Sequence, residues 1–358
     1  MKIAVDAYLD NNLGDDLMIK LFADYFSEHN IYMFEDREVI KCTFKNNENI
    51  IFLDEKDYDN KIIEMDMHVT IGGSMFILDS LKNCIRFRHR IKKARQLKKL
   101  GIPAVVIGCN MGPFDKNHIG IKLAKWELKY KEFITVRDES SFDLLLKNNL
   151  KIPVYLYPDI VFSKDIEKNT TKYGLGISVY RSKNKDVNNY SNYKYLSNLA
   201  DHFIELTDKS VGLFAFDSEN ENDLVAAHYI KQLSRNKSKI KIVPYLANTE
   251  EFMNEFTKSE KIVGIRFHSA VLALKSGVPL LSVYYSNKTK NLMKDLEMEN
   301  YSLSISELST SSKLVNSIEN NTNFGILHKD VRESISVDSK GHFIELEKLM
   351  TKIAGVDE

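Results

Sequence analysis

The chain has 358 residues, of which 43% are hydrophobic, and its 50 basic side chains balance 50 acidic ones. A nucleic-acid-binding protein usually carries a clear basic excess, so this balance argues against nucleic acid as a partner. A chain of this length folds more often as two domains than as one. Its three cysteines lie far apart without CxxC spacing, and the first residues contain no apolar run long enough for a signal or a membrane span. We therefore expect a cytoplasmic protein.

Apolar and amphipathic segments alternate along the first half of the chain. Strands are predicted at KIAVDAY, MHVTI, IPAVVIG, FITVRD and PVYLYPD. Helices are predicted at DLMIKLFADYFSE, at about residues 83–100 and at SSFDLLLKNN. This alternation is typical of a parallel, doubly wound sheet. We predict a first Rossmann-like domain over residues 1–168.

The polar stretch FSKDIEKNTTK interrupts the alternation, which then restarts with YGLGISVY, SVGLFAF, IKIVPY, KIVGI and PLLSVYY as strands. A second Rossmann-like domain is predicted over residues 169–325. The tail, residues 326–358, contains one more amphipathic helix, FIELEKLMTKIA, which we expect to pack back across the domains. The predicted fold class is α/β, with two Rossmann-like domains facing across a cleft. Ligands of open α/β sheets bind at the carboxyl ends of the strands, which would line that cleft.

The segment GIRFHSAVLALKSGVP places Arg266 and His268 two residues apart, where an apolar strand gives way to an apolar helix. Side chains two apart on an extended strand point the same way, so we expect both to project from its carboxyl end. Ser269 is the predicted N-cap of the helix. A helix N-terminus attracts anions, and a guanidinium beside it favours a carboxylate or a phosphate. The alternative is structural, with Arg266 paired to an acid on a neighbouring strand and His268 hydrogen-bonded in the core.

Eight segments occur in one order over roughly residues 1–300: NNLGDDLM, GGSMFILD, GCNMGPF, VRDESSFDLL, PDIVF, GISVYR, GIRFHSAVLALKSGVP and VYYSNKTKNLM. In these segments and their order the sequence resembles the polysaccharide pyruvyl transferase family. Ser74 replaces the third glycine of the family's GGG turn, and Asp16 stands where Glu is commoner. Members have two Rossmann-like domains arranged as in GT-B glycosyltransferases. They transfer pyruvate from phosphoenolpyruvate to a sugar as a cyclic ketal.

The resemblance implies a pyruvyl transferase that acts on a cell-surface or exopolysaccharide glycan, or its precursor, and releases phosphate. It implies that Arg181 binds the donor in the second domain, and that Asp15 acts on the acceptor side in the first. Asp15 is equally well read as a structural N-cap. We predict Arg266, Ser269 and Lys288 as further donor-binding residues, although exposed lysines mostly have no specific role. His268 is the predicted general acid or base, since imidazole serves in either direction near neutral pH.

Two further groups of residues are predicted to shape the loops of the cleft. Asn12 and Gly14 belong to the loop that carries Asp15, and four glycines follow predicted strands, where tight turns are expected. Those four are Gly72, Gly73, Gly108 and Gly112. The nine histidines form no HxH or HExxH cluster, so we expect no metal. Because arginines can neutralise the phosphate, we expect no cofactor, with phosphoenolpyruvate as the donor substrate.

The predicted helix CIRFRHRIKKARQLKKL carries eight Lys and Arg residues. Its apolar positions fit one face, so the basic residues are read first as a solvated surface. The alternative is peripheral contact with anionic lipid at the inner face of the membrane, or with the pyrophosphate of a lipid-linked acceptor.

Two rival functions remain open at the level of sequence. The first is a GT-B glycosyltransferase that uses a nucleotide sugar. Many retaining enzymes of that kind have an acidic residue in the helix before G-x-P, where this chain has Leu272, with Lys275 further on. The second is a saccharide-binding relative without catalytic activity. The presence of Arg181, Arg266 and His268 together argues against it.

Overall fold

The computed structural model describes residues 1–114, 119–183, 189–308 and 310–355. The chain divides into two compact units. Unit 1 comprises Met1–Leu9, Leu17–Ser163 and Ile335–Glu358, and unit 2 comprises Asp10–Asp16 and Lys164–Ser334. The main boundary between the two units lies between Ser163 and Lys164, inside the polar stretch FSKDIEKNTTK. The sequence predicted the domain boundary in this stretch, after residue 168.

The first half of the described chain contains short parallel strands and the helices that connect them. Its strands are β1 (Lys2–Asp6), β2 (Asn30–Phe34), β3 (Ile50–Leu53), β4 (Met67–Ile71), β5 (Phe76–Leu78), β6 (Ala104–Cys109), β7 (Met111–Phe114), β8 (Ile134–Val136) and β9 (Val154–Leu156). Its helices are α1 (Leu13–Tyr25), α2 (Glu38–Thr43), α3 (Tyr58–Lys61), α4 (Leu81–Lys99), α5 (Ile119–Leu128) and α6 (Glu139–Lys147).

Unit 1 is built on a parallel sheet with the strand order β3-β2-β1-β4-β6-β8-β9. β1 pairs in parallel with both β2 and β4, so the chain winds to one edge and then returns to wind towards the other. That order is characteristic of doubly wound sheets. β4 and β6 are buried along their whole length, as expected for central parallel strands covered on both faces. β5 and β7 form a separate pair.

The second half of the chain repeats this architecture in unit 2. Its strands are β10 (Leu175–Ser178), β11 (Val211–Ala215), β12 (Ile240–Pro244), β13 (Ile262–Gly264), β14 (Leu280–Tyr284) and β15 (Ser302–Ser304). Its helices are α7 (Asn189–Thr207), α8 (Asp223–Leu233), α9 (Thr249–Phe256), α10 (Phe267–Ser276), α11 (Asn287–Asp295) and α12 (Lys313–Glu319). The sheet order, β12-β11-β10-β13-β14-β15, is again doubly wound, and all its pairs are parallel. The prediction of an α/β fold with two Rossmann-like domains is confirmed.

The tail forms two helices, α13 (Lys329–Ser339) and α14 (Gly341–Ile353), where the sequence predicted one. α14 packs within unit 1, where the Phe343 ring lies 4.8 Å from the ring of Tyr25. His342 is fully buried beside it. Its Nε2 lies 2.8 Å from the carbonyl oxygen of Pro158, and its Nδ1 lies 2.6 Å from Oγ1 of Thr135. Because a carbonyl can only accept, Nε2 carries a proton. Burial lowers the pKa of His342 to about 4, so the ring is neutral at pH 7.

None of the helices in the described part of the chain combines the length and apolar character that a membrane span needs.

Candidate functional site

The chain turns from strand to helix earlier at Gly264–Ser269 than the sequence predicts. β13 ends at Gly264 and α10 begins at Phe267, with Arg266 in the extended N-cap conformation. The backbone N–H of Arg266 donates to Oγ of Ser178, at the end of β10, over 3.2 Å. This contact between strand ends fixes where the helix starts.

Two predictions about this segment are therefore wrong. Ser269 is not the N-cap, because its hydroxyl is buried inside the first turn and donates to the carbonyl oxygen of Arg266 at 2.5 Å. Arg266 and His268 do not project together from a strand, because His268 already lies in the first turn of α10. The Ser269 hydroxyl therefore stabilises the turn.

Arg266 is buried and paired with acids from the loop after β11. Its Nε and Nη2 donate to the two carboxylate oxygens of Asp223 over 2.8 and 2.5 Å, and its Nη1 pairs with Glu221. Burial alone would lower the pKa of the guanidinium, but Asp223 and Glu221 hold the pKa well above its usual value. Three of the five N–H donors of Arg266 are thus engaged. Arg266 is thus paired as the structural alternative supposed, but its acids lie just before and at the start of α8 and not on a neighbouring strand.

Asp223 is also the point where three neighbouring loops meet. It is fully buried at the start of α8 and accepts the backbone N–H groups of Arg181 and Asp217, each over 3.2 Å. The bidentate pair with Arg266 completes its four contacts, so Asp223 positions the loops after β10, β11 and β13. Sequence analysis missed Asp223 and Glu221. The only signal was the run FDSENEND, an acidic loop directly after a predicted strand.

An aromatic pair covers the other side of the guanidinium. The Arg266 guanidinium carbon lies 4.7 Å from the centroid of the Tyr180 ring. Tyr180 in turn stacks on Tyr285 with ring centroids 4.0 Å apart and planes 9° from parallel. A planar guanidinium stacks well on such a face, so carboxylates and rings together fix the orientation of Arg266.

His268 is half-buried and lies directly against Gly14. A β-carbon at position 14 would stand 1.6 Å from Nδ1 of the imidazole, which is far inside van der Waals contact. Only glycine therefore leaves room for the ring at this place. Both residues belong to unit 2. The structure thus brings together two segments that the sequence singled out 254 positions apart, at Gly14 and His268.

The segment Asp10–Asp16 joins unit 2 through backbone contacts with the residues after β11. Asn12 forms an antiparallel bridge with Asp217, and the N–H of Leu13 donates to the carbonyl oxygen of Phe216 over 3.2 Å. The side-chain oxygen of Asn12 accepts the N–H of Gly14 at 3.1 Å, which supports its predicted role in shaping the loop. Chain order placed this segment in the first domain, whereas its contacts place it in unit 2.

The two acids of this segment have different surroundings. α1 begins at Leu13, so Asp15 lies inside the first helical turn and the reading of Asp15 as the N-cap is wrong. Asp15 is half-buried, whereas Asp16 is fully buried and accepts a hydrogen bond from the Tyr245 hydroxyl at 2.6 Å. Burial, with Asp16 beside it, raises the pKa of Tyr245. Asp16 is therefore a structural residue, and Asp15 is the acid that remains a candidate for function.

Two more predicted donor-binding residues lie at the carboxyl end of the same sheet. Lys288 is in the first turn of α11, and its Nζ lies 5.9 Å from the centroid of the Phe267 ring. That ring also contacts His268, at 4.9 Å between centroids. Arg181 follows β10 and its side chain is exposed. Lys288, His268 and the N-terminus of α10 therefore lie around Phe267, at an end of the helix that favours anions.

The glycines predicted to form cleft loops lie in unit 1. A β-carbon at Gly73 would meet Nη2 of Arg137 at 2.3 Å, so the guanidinium occupies the space that a side chain would need. Arg137 donates to Asp159 over 2.6 Å and to Asn110 over 2.8 Å. The other three have a positive φ: Gly72, Gly108 and Gly112. Gly72 directly follows β4 as predicted, whereas Gly108 and Gly112 lie within β6 and β7 and not in the predicted turns.

The fold is shared with solved structures of low sequence identity. UGT73P12 from Glycyrrhiza uralensis, solved with glycyrrhetinic acid 3-O-monoglucuronide, matches with a TM-score of 0.61 at 8% identity, over 99% of this chain and 96% of that one. UDP-GlcNAc 2-epimerase from Methanocaldococcus jannaschii matches with a TM-score of 0.60 at 14% identity, over 97% and 100%. HepE from Anabaena, solved with UDP, matches with a TM-score of 0.54 at 10% identity, over 99% of each chain. These likenesses show the fold alone, of the GT-B kind.

A family model described as polysaccharide pyruvyl transferase matches residues 12–287. The match includes the loop at Gly14, the acids after β11 and the start of α10, and it extends over well more than half of the 358 residues. The chain therefore belongs to the polysaccharide pyruvyl transferase family and is a transferase enzyme.

Proposed function

We propose that this protein transfers the pyruvyl group of phosphoenolpyruvate onto two hydroxyls of one sugar, forming a cyclic ketal and releasing phosphate. The acceptor in this proposal is a cell-surface or exopolysaccharide glycan, or its precursor. Membership of the family supports pyruvylation in general. The observation that carries the specific proposal is the placement of His268, a titratable ring held against Gly14 at the N-terminus of α10.

Donor binding in this proposal uses the cationic groups of unit 2. Phosphoenolpyruvate is small and highly anionic, so it needs positive charge more than volume. Arg181 and Lys288 supply side-chain cations, and the N-terminus of α10 supplies the positive end of a helix dipole. Arg266 acts mainly as a positioning residue, because Asp223 and Glu221 neutralise most of its charge. No metal is required, since these groups balance the phosphate.

The proposed reaction is balanced by two hydroxyl protons. The methylene carbon of the donor gains a proton and becomes a methyl group, while the first hydroxyl oxygen bonds to C2. The C2–O bond to phosphate then breaks, and the second hydroxyl oxygen bonds to C2 to close the ketal. One hydroxyl proton ends on the methyl group and the other on the released phosphate. His268 moves these protons as general acid or base, and Asp15 orients or deprotonates an acceptor hydroxyl.

The rival function is that of a nucleotide-sugar glycosyltransferase. We retain it as an alternative because this chain shares its fold with the Anabaena protein that was solved with UDP. At the position in α10 where many retaining enzymes carry an acid, this chain has Leu272, which is fully buried. A carboxylate that could bind ribose hydroxyls is therefore missing from that position. A saccharide-binding relative without activity is the remaining alternative.

Thermal unfolding of the purified chain separates these functions. We expect phosphoenolpyruvate to raise the midpoint of unfolding more than UDP or UDP-sugars do, because a ligand that binds only the folded state stabilises it. A larger shift with a nucleotide sugar would favour glycosyl transfer. Binding of phosphoenolpyruvate without phosphate release, across a panel of acceptors, would favour the inactive relative.

We propose a cytoplasmic location with peripheral contact at the inner face of the membrane. A concave surface of about 570 Å³ in unit 1 is lined by Trp126 and by one basic strip of α4, Arg88, Lys92, Arg95 and Lys99. Trp126 is 45% exposed, and an indole beside cations suits the headgroup region of an anionic membrane. The fraction of protein that sediments with vesicles containing phosphatidylglycerol should be smaller for the Trp126→Ser variant. Equal sedimentation with neutral phosphatidylcholine vesicles would contradict the charge argument.

A further inference from the structure

A second concave surface, separate from the residues discussed above for donor binding, lies within unit 1. It is a pocket of about 470 Å³ beside the carboxyl end of β1. Its walls are the residues that follow β1, the β5 region at Met75 and Ile77, and the face of α4 between Asn83 and Lys93. Ligands of doubly wound sheets bind at this edge, where strands end and loops begin.

Asp6, the last residue of β1, lines this pocket. The residue is half-buried, and the hydrogen bonds and ion pairs of the described residues include none to its carboxylate oxygens. Burial alone would raise the pKa of Asp6, but the basic side chains His68, Lys93, Arg90 and Lys131 hold it below its usual value. An ionised carboxylate without a protein donor has acceptor capacity left for a ligand. Hydroxyl groups are the donors that fit it.

The neighbouring buried charges are compensated, in contrast to Asp6. Arg90 donates to Glu127 over 3.0 Å and to the carbonyl oxygen of Met75 over 2.5 Å. Lys131 lies 3.8 Å from the same Glu127 carboxylate. Arg90 and Lys131 therefore have a carboxylate of their own, that of Glu127. The positive field of Arg90 and Lys131 stabilises the ionised form of Asp6, while the direct partner of both cations is Glu127.

The mouth of the pocket is cationic. Arg86 and Lys93, two turns apart on α4, are both exposed and line it, with His89 beside them. Neither Arg86 nor Lys93 forms an ion pair with the described residues, and Lys93 lies 4.3 Å from the centroid of the Tyr58 ring. Arg86 and Lys93, of which Lys93 also acts on the Asp6 carboxylate, together favour a carboxylate or a phosphate at this helix face.

An aromatic wall completes the pocket. The ring of Tyr8 is 39% exposed, and its hydroxyl lies 3.4 Å from the carbonyl oxygen of Ser74. Ile77 and Phe87 add apolar surface. The C–H face of a hexose packs on such surfaces while its hydroxyls bond to polar groups at the edge. The three features together fit a hydroxyl-rich ligand with an anionic group.

We infer that this pocket of unit 1 binds the acceptor through a sugar that carries a carboxylate or a phosphate, with Asp6 accepting its hydroxyls and Arg86 and Lys93 holding its anionic group. The word acceptor rests on the proposed function; the binding of an anionic sugar does not. The family match begins at residue 12 and so assigns no role to Asp6.

Binding of small probes to the full chain, without phosphoenolpyruvate, tests this inference. The probes are the 1-phosphates of glucose and galactose, the two matching uronates, the parent hexoses and inorganic phosphate, followed by calorimetry or NMR. Some anionic sugars should bind about tenfold or more tightly than their parent hexoses, since a charge-assisted contact is added. Stronger binding of the 1-phosphates would indicate a phosphate on the acceptor, and stronger binding of the uronates would indicate an acidic sugar.

Two variants locate the site. The double variant Arg86→Gln, Lys93→Gln should lower the affinity for the anionic sugars about tenfold. The matched control is Lys82→Gln with Lys98→Gln, which also removes two positive charges from α4 but outside this pocket, and it should leave the affinity unchanged. Asp6→Asn should lower the affinity for the anionic sugars but not the affinity for inorganic phosphate. Because Arg86 and Lys93 are exposed, their variant tests the pocket even where Asp6→Asn folds poorly.

Several results would overturn the inference. The first is an equal loss of affinity in the two double variants, which would indicate attraction by net charge alone. The second is equal binding of hexoses and anionic sugars. The third is no binding of any probe. Affinity for phosphoenolpyruvate is measured in the same preparations. Loss of the proposed function shows as absent phosphoenolpyruvate binding, whereas failure of the pocket shows in the sugar probes alone.

Discussion

The imidazole of His268 occupies the space that a side chain at Gly14 would fill, with Nδ1 standing 1.6 Å from the position of a β-carbon there. The loop before α1 and the first turn of α10 are therefore fitted to one another within unit 2. If His268 moves protons in the reaction, its orientation depends on the absence of a side chain at position 14.

Gly14→Ala should displace the His268 ring and lower turnover about tenfold to a hundredfold, because small misplacements of a reacting group are costly. Steady-state rates of phosphate release measure the effect. The control is Gly101→Ala, which adds a methyl group to open space at a φ of 73°. It should cost about 1 kcal/mol of stability and leave turnover unchanged. Normal turnover of the Gly14→Ala enzyme would contradict the claim that the orientation of His268 depends on a glycine at position 14.

Asp223→Asn should lower the free energy of unfolding by about 3 kcal/mol, because it leaves the buried Arg266 guanidinium without its bidentate partner. Urea denaturation measures this loss. Glu221→Gln is the comparison, since the Glu221 side chain is 26% exposed and water can replace part of its interaction with Arg266. It should cost much less. Similar losses in both variants would show that burial does not set the strength of these pairs.

Stability should fall as the pH drops from 6.5 towards 4, and His342 should account for part of the fall. Burial lowers the pKa of His342 from 6.5 to about 4. The unfolded chain therefore takes up a proton below pH 6.5 that the folded chain refuses until about pH 4. The difference amounts to about 3 kcal/mol at pH 4 and vanishes above pH 7. His342→Gln should show a smaller slope of unfolding free energy against pH over this window, and an unchanged slope would contradict the neutral, buried assignment.

The periodicity of the sequence was enough to predict both Rossmann-like sheets, because alternation between strands and amphipathic helices is a local property. Helix starts were less predictable. α10 begins at Phe267 and α1 at Leu13, each earlier than local capping rules suggested. In both cases a backbone N–H at the turn donates to a residue distant in sequence: that of Arg266 to Oγ of Ser178, and that of Leu13 to the carbonyl oxygen of Phe216.

The ion-pair partners of Arg266 and Arg137 could not be predicted from the sequence, because they also depend on contacts between distant segments. Asp223, the partner of Arg266, follows β11, which is separated from β13 in the sheet by β10. Arg137 pairs with Asp159, and the adjacent Asp138 instead caps α6. Strand order decides which loops meet, so the acid that pairs with each arginine cannot be identified from its neighbours in the sequence.

The central claim is that His268 carries protons in pyruvyl transfer from phosphoenolpyruvate. Its most direct test is His268→Ala, with transfer to a glycan followed by the mass gain of one pyruvyl ketal and phosphoenolpyruvate affinity measured alongside. The account predicts that the rate of ketal formation falls about a hundredfold or more while donor affinity changes less. Ketal formation at the normal rate in this variant would contradict it.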